Sequence, residues 1–149
     1  MFNESLPSAS SVLTVDGDAV QSLGKHLLAS LRLRVLNIPQ PPSSHDGTVD
    51  TRVAILFSGG LDCTVLARLT HDLLPEDQGI DLLNVAFENP RVVAQLQKEA
   101  KGQPINPYEA CPDRVTGRQA FAELQKACPG RIFRFVAVRS PLLVFPSTG

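Results

Sequence analysis

The stretch Val53-Ala54-Ile55-Leu56-Phe57-Ser58-Gly59-Gly60-Leu61-Asp62-Cys63-Thr64 constrains this chain more than any other. Its leading apolar run, Val53 to Phe57, reads as a buried parallel strand. Two adjacent glycines then turn the backbone. Val65, Leu66, Leu69 and Leu73 follow at helical spacing. Strand, glycine turn and helix in immediate succession is a recurrent way for α/β proteins to build a phosphate site. The glycines let an anion approach the main chain closely. The amides of the turn and of the first helical turn carry the partial positive charge of a helix start.

Two common phosphate loops are excluded. A Walker loop needs Lys and then Ser or Thr after its last glycine, whereas Leu61 and Asp62 follow Gly60. A dinucleotide fingerprint needs three spaced glycines, and only an adjacent pair stands here. The remaining pattern, Ser58-Gly59-Gly60-Leu61-Asp62-Cys63-Thr64, resembles the pyrophosphate loop S-G-G-x-D-S/T of the ATP pyrophosphatase superfamily. That resemblance implies cleavage of ATP between its α- and β-phosphates, adenylation of a substrate, and a loop that holds the leaving pyrophosphate. Cys63 replaces the usual Ser, and a thiol is a weaker hydrogen-bond donor than a hydroxyl.

Composition narrows the classes. A chain of 149 residues with 43% hydrophobic residues suits one domain with a real core. A net charge of −1 gives no electrostatic case for nucleic acid. Aromatics make up 5%, without Trp, so a base-stacking platform is not expected. No apolar run approaches the ~20 residues of a membrane span. Met1 to Ser11 lacks a basic start and an apolar core, so it is not read as a signal peptide. Cys63, Cys111 and Cys128 form no C-x-x-C, which fits reduced thiols and a cytoplasmic location. No zinc pattern is found. His26, His45 and His71 read as surface or polar-face residues.

Residues 1–15 are Ser-rich and read as disordered, with the domain running over 16–149. Asp16 or Asp18 caps an amphipathic helix, about Ala19 to Leu36, with Val20, Leu23, Leu27, Leu28, Leu31 and Val35 on one face. A Pro/Ser/Gly linker spans 37–51. The helix after the loop runs from about Cys63 to Leu74, with Asp62 placed to cap it. A second strand, about Asp81 to Phe87, lies a crossover away and is expected beside the first, in parallel. Arg91 to Gln103 reads as a solvated helix. Thr116 with Gln119 forms a capping-box pattern for a helix from Gly117 to about Cys128. A third strand is read over Arg131 to Val138, and a tail over 140–149. Asp113, Arg114 and Arg118 are candidates to touch substrate or phosphate; local ion pairing at a helix start is the plainer reading.

Val53 to Asp62, Ile80-Asp-Leu-Leu-Asn-Val-Ala-Phe87, Pro112-Asp-Arg-Val-Thr-Gly-Arg118 and Arg131-Ile-Phe-Arg-Phe-Val136 together resemble the asparagine synthetase domain-containing protein family. The resemblance covers about residues 19–138. It implies a partial adenine-nucleotide α-hydrolase-like (Rossmann-like) parallel sheet with flanking helices, preceded by one amphipathic helix. It also implies that Mg2+-ATP adenylates aspartate and that ammonia from glutamine attacks the adenylate. Carried over by motif, Ser58, Gly59, Gly60, Leu61, Asp62 and Cys63 hold pyrophosphate, while Leu56 and Val85 contact adenine. The family's glutaminase domain, with its N-terminal Cys, and a second acidic loop have no counterpart in these residues. The expectation is a fragment with weak or absent catalysis by itself, whose glutaminase function would sit on a missing domain or chain. A non-catalytic nucleotide- or partner-binding remnant is the alternative. A tRNA-thiolating relative is disfavoured by the absent basic patch and catalytic cysteine pair.

Overall fold

The computed structural model describes residues 12–39, 51–87 and 106–140, with single positions at 91, 94, 95 and 98. Six elements fall within those stretches: α1 (Asp18–Val35), β1 (Thr51–Leu56), α2 (Leu61–Leu73), β2 (Gly79–Phe87), α3 (Pro112–Ala127) and β3 (Phe133–Ser140). The strands form one sheet in the order β1-β2-β3, and both pairings are parallel. Parallel neighbours need a crossover, and α2 and α3 supply one each between consecutive strands. The α/β class and the side-by-side β1–β2 pair therefore stand as the sequence predicts.

Register separates the two faces. Val53 pairs with Ile80 and Ile80 with Phe133; Ile55 pairs with Leu82 and Leu82 with Phe135. This face packs against α2 and α3 through Ala67, Ala120 and Leu124 to form the core. The opposite face carries Leu56, Leu83, Val85, Phe87 and Val138, and Leu56 and Phe87 are 75% and 64% exposed. The apolar run of β1 predicted burial on both sides, as in most parallel sheets. Among the described residues only one layer of helices is present, so one face is covered.

α1 is amphipathic as expected, but only Leu31 and Val35 are buried, while Leu23 is 68% exposed. Its N-cap is Gly17 without a side-chain cap, so neither Asp16 nor Asp18 caps it; Asp18 instead sits in the first turn, facing the dipole. Several predicted boundaries shift. Thr51 belongs to β1 rather than to the linker, and Ser140 ends β3 rather than opening the tail. β3 begins at Phe133, so Arg131 precedes it. α3 begins at Pro112, five residues before the predicted start. Proline at N1 suits a helix because its missing N–H is an orphan there anyway. Thr116 is thus inside α3, and its hydroxyl donates to the Pro112 carbonyl at 2.9 Å instead of capping. Residues 1–11, most of the 37–51 linker, most of the Arg91–Gln103 helix and the tail beyond Ser140 lie outside the described residues.

Arg131 closes α2. Its guanidinium is buried and donates to the carbonyls of His71, Leu74, Pro75 and Gln78, and its Nε–H donates to His71 Nδ1 at 3.0 Å. These include carbonyls at a helix C-terminus that have no intrahelical donor. His71 is therefore not a plain polar-face residue. Burial, and then the charges of Arg131 and Arg68, hold its imidazole below the usual histidine range. A folded state that resists protonation loses stability as the unfolded chain takes up protons. Stability is expected to be flat above about pH 6.5, the ordinary histidine value, and to fall below it. His71→Gln is expected to flatten that limb in denaturation curves taken across pH 5 to 8, a range spanning the histidine transition (about 6.5). An unchanged limb would contradict the assignment.

Candidate functional site

The loop between β1 and α2 sits at the carboxyl edge of the sheet, where α/β folds bind ligands. Phe57 N–H donates to the Leu83 carbonyl at 2.8 Å, which anchors the loop's start on β2. The two glycines then do different things. Gly59 has φ +87°, and a Cβ there would lie 2.5 Å from Thr116 C and O and from Gly117 N. It is glycine because α3 passes against it. Gly60 has φ −70° and ψ 169°, which any residue adopts, and the nearest atom to its Cβ position is Ser58 Oγ at 3.5 Å. Only at Gly60 is the missing side chain open space that a ligand can enter.

α2 begins at Leu61, two residues earlier than predicted, with Gly60 as its N-cap and no side-chain cap. Asp62 therefore sits in the first turn rather than capping the helix. The first intrahelical bond is Thr64 N–H to the Gly60 carbonyl, so the amides of Leu61, Asp62 and Cys63 have no helical acceptor. The loop braces itself: Thr64 Oγ1 and the Cys63 thiol also donate to the Gly60 carbonyl, at 2.8 and 3.2 Å, and Gly60 N–H donates to Ser58 Oγ at 3.4 Å. Cys63 offers its amide at the helix start, while its sulfur faces the loop's own carbonyl. Ser58, Gly60, Leu61 and Asp62 are exposed. A row of free amides at a helix N-terminus, open to solvent, is an anion-binding arrangement.

Beside it lies a cleft of about 290 Å³ lined by Leu56, Phe57, Ser58, Leu83, Val85, Phe87 and Asp113. The structure thus brings Leu56, Ser58 and Val85 into one space, while Gly60 to Cys63 continue from Ser58 along the start of α2. The cleft is at the small end of ligand pockets, roughly 300 to 1,000 Å³. A larger groove of about 470 Å³, lined by Leu31, Arg34, Val35, Arg52, Ala54 and Leu56 among others, runs between α1 and the edge strand β1, and Leu56 lines both spaces.

The three residues of the 112–118 stretch diverge. Asp113 lines the cleft. Arg114 is fully buried and donates to the Val138 carbonyl at 2.7 Å. Arg118 pairs with Glu109 at 2.7 Å and lies over the Phe135 ring, and it holds the Glu109 carboxyl below the usual range. For Arg118 the plainer reading, local pairing, is the observed one. Sequence reasoning missed Asn84. It is fully buried on β2, and its Nδ2 donates to the carbonyls of Phe57 and Asp113, each at 2.8 Å. An amide among Leu82, Val85 and Ala86 was the available clue.

Fold and site define an α/β domain with a glycine turn between its first strand and the following helix, at the carboxyl edge of a parallel sheet. Curated relatives make the class more particular. The chain is 32% identical over 163 aligned positions, 88% of its length, to asparagine synthetase domain-containing protein 1 of Bos taurus. It is 35% identical, over 84% of its length, to asparagine synthetase domain-containing protein CG17486 of Drosophila melanogaster. It is 31% identical, over 81% of its length, to asparagine synthetase domain-containing protein 1 of Homo sapiens. The resemblance to the asparagine synthetase domain-containing proteins holds over most of this chain. The aligned part is 26%, 20% and 23% of those relatives, so the chain spans about a quarter of their length or less. No family model matches the chain, and no solved structure does. Among the described residues no helix is long and apolar enough to cross a membrane, and no three His, Cys, Asp or Glu side chains group as a metal site.

Proposed function

We propose that this chain is the ATP-binding segment of an asparagine-synthetase-like domain, in which a carboxylate is activated by adenylation with release of pyrophosphate. The reading rests chiefly on Gly60. Its open side and the free amides of Leu61, Asp62 and Cys63 offer one face to a phosphate, next to the apolar seat of Leu56 and Val85. The adenine ring lies against Leu56 and Val85, and the β- and γ-phosphates lie along Ser58 to Cys63. Mg2+ arrives with the nucleotide, since such ions are held largely by phosphates and one or two carboxylates; Asp62 is the loop's carboxylate. Aspartate is the proposed acceptor, and ammonia released from glutamine by another domain or chain is the proposed nucleophile. Three unpaired cysteines favour a reducing, cytoplasmic setting.

Gly60→Val tests the reading. The backbone at this position accepts valine, so the fold is expected to remain. The isopropyl group fills the space the phosphate needs. Losing one or two charge-assisted bonds to phosphate predicts about a hundredfold weaker Mg2+-ATP binding by calorimetry. Equal affinities would reject the role of the loop. Among the described residues one sheet face is uncovered, which favours a second reading, a nucleotide- or partner-binding remnant without chemistry. Mg2+-ATP binding with no pyrophosphate release, aspartate and ammonia being present, would select it.

A further inference from the structure

We propose that Asn84 is a positioning residue that makes the first turns of α3 part of the phosphate loop's scaffold; its bearing on the nucleotide rests on the function proposed above. Three contacts stack in order. Gly59 bends at positive φ directly against the Thr116–Gly117 backbone, leaving no room for a Cβ. A Cβ at Gly117 would in turn lie 2.5 Å from Asn84 Nδ2. Asn84 Nδ2 donates one hydrogen to the Phe57 carbonyl, the last residue before the loop, and the other to the Asp113 carbonyl on α3. The orientation of the amide is dictated, because a carbonyl oxygen facing two carbonyl oxygens would repel both. Asn84 Oδ1, in exchange, is buried with no partner. Retaining a buried orphan acceptor is costly unless the two donations matter to the arrangement.

The consequence is directional. α2 supplies the amides that face a phosphate, but α3 decides where Gly59 sits, and Asn84 ties both to the end of β1. Asp113, whose carbonyl Asn84 holds, lines the cleft beside Leu56 and Val85. Loosening the tie therefore moves the loop without touching it.

The test compares amide hydrogen exchange at Phe57, bonded to Leu83 at the loop, with that at Ile80, bonded to Ile132 at the far end of the sheet. Asn84→Asp keeps the shape and replaces two N–H donors with at most one O–H. Gly117→Ala presses on the amide from the other side, although in an ordinary helix the same change favours folding. Leu124→Ala, in the core away from the loop, is the control. Asn84→Asp and Gly117→Ala are expected to speed Phe57 exchange about tenfold relative to Ile80, the equivalent of one net hydrogen bond. Both are also expected to weaken Mg2+-ATP binding about tenfold, whereas Leu124→Ala moves both amides together and leaves the affinity of the folded protein unchanged. Should Asn84→Asp not fold, Gly117→Ala decides alone. Phe57 and Ile80 moving in step in the loop variants would overturn the proposal. Wild-type protein that ignores Mg2+-ATP while the exchange ratio shifts would instead overturn the nucleotide reading and leave the tie between loop and α3 standing.

Discussion

Gly59→Ala is expected to destabilise the fold by about 2 to 5 kcal/mol. Two terms add. A left-handed φ at a residue with a Cβ costs roughly 1 to 2 kcal/mol. Forcing that Cβ into a packed contact costs roughly 1 to 3 kcal/mol more. The contact in question is backbone of α3 at 2.5 Å, which cannot rotate away as a side chain would. Against a typical stability of about 5 to 15 kcal/mol, the loss is a large share. Gly130 supplies the comparison: its φ is +86°, yet nothing lies within 4 Å of its Cβ position. Gly130→Ala should therefore show the conformational term alone, about 1 to 2 kcal/mol. Urea denaturation of both variants measures the difference. Equal losses would mean that α3 does not press on the loop in solution.

Arg131→Met is expected to cost about 3 to 5 kcal/mol, because several buried acceptors lose a charged donor at roughly 1 to 3 kcal/mol each. Methionine fills similar space but donates nothing, so four carbonyls at the end of α2 and in the connection to β2 lose a donor. Lysine should rescue only in part, because one ammonium on a flexible stem cannot match a planar fork with five N–H groups. The variant carries a second readout. Arg131 is one of the two charges that hold His71 below its ordinary range, so His71 should titrate higher in Arg131→Met. Proton NMR of the imidazole reads that shift directly. A full loss of stability with no change at His71 would separate the two residues and contradict the shared network.

Much of this architecture was legible from periodicity. β1, the glycine turn and α2 follow one another without a gap, and the switch from a short apolar run to helical spacing fixes their order. The crossover length then placed β2 beside β1. Other features depended on partners distant in the chain. Thr116 and Gln119 imitate a capping box and point to a start at Gly117, whereas Pro112 at N1 and the Cys111 N-cap set the start of α3. Arg131 looked like the first residue of a strand; its acceptors lie 53 to 60 positions earlier. Gly59 and Gly60 looked equivalent, as neighbours in a sequence must. Only α3 lying across Gly59 distinguishes a packing glycine from an open one. Asn84 was hidden for the same reason, since both its acceptors become neighbours only once the sheet and α3 are assembled.

In the function proposed above, a nucleotide's phosphates rest on the open side of Gly60 at the start of α2. Titrating labelled wild-type protein with Mg2+-ATP and following amide and methyl resonances tests it most directly. The expected shifts centre on the amides of Ser58 to Cys63 and the methyls of Val85, together with Leu56, which lines both spaces, while Leu31 and Val35 in the groove between α1 and β1 stay silent. Shifts confined to that groove, or none at the loop at saturating nucleotide, would contradict it.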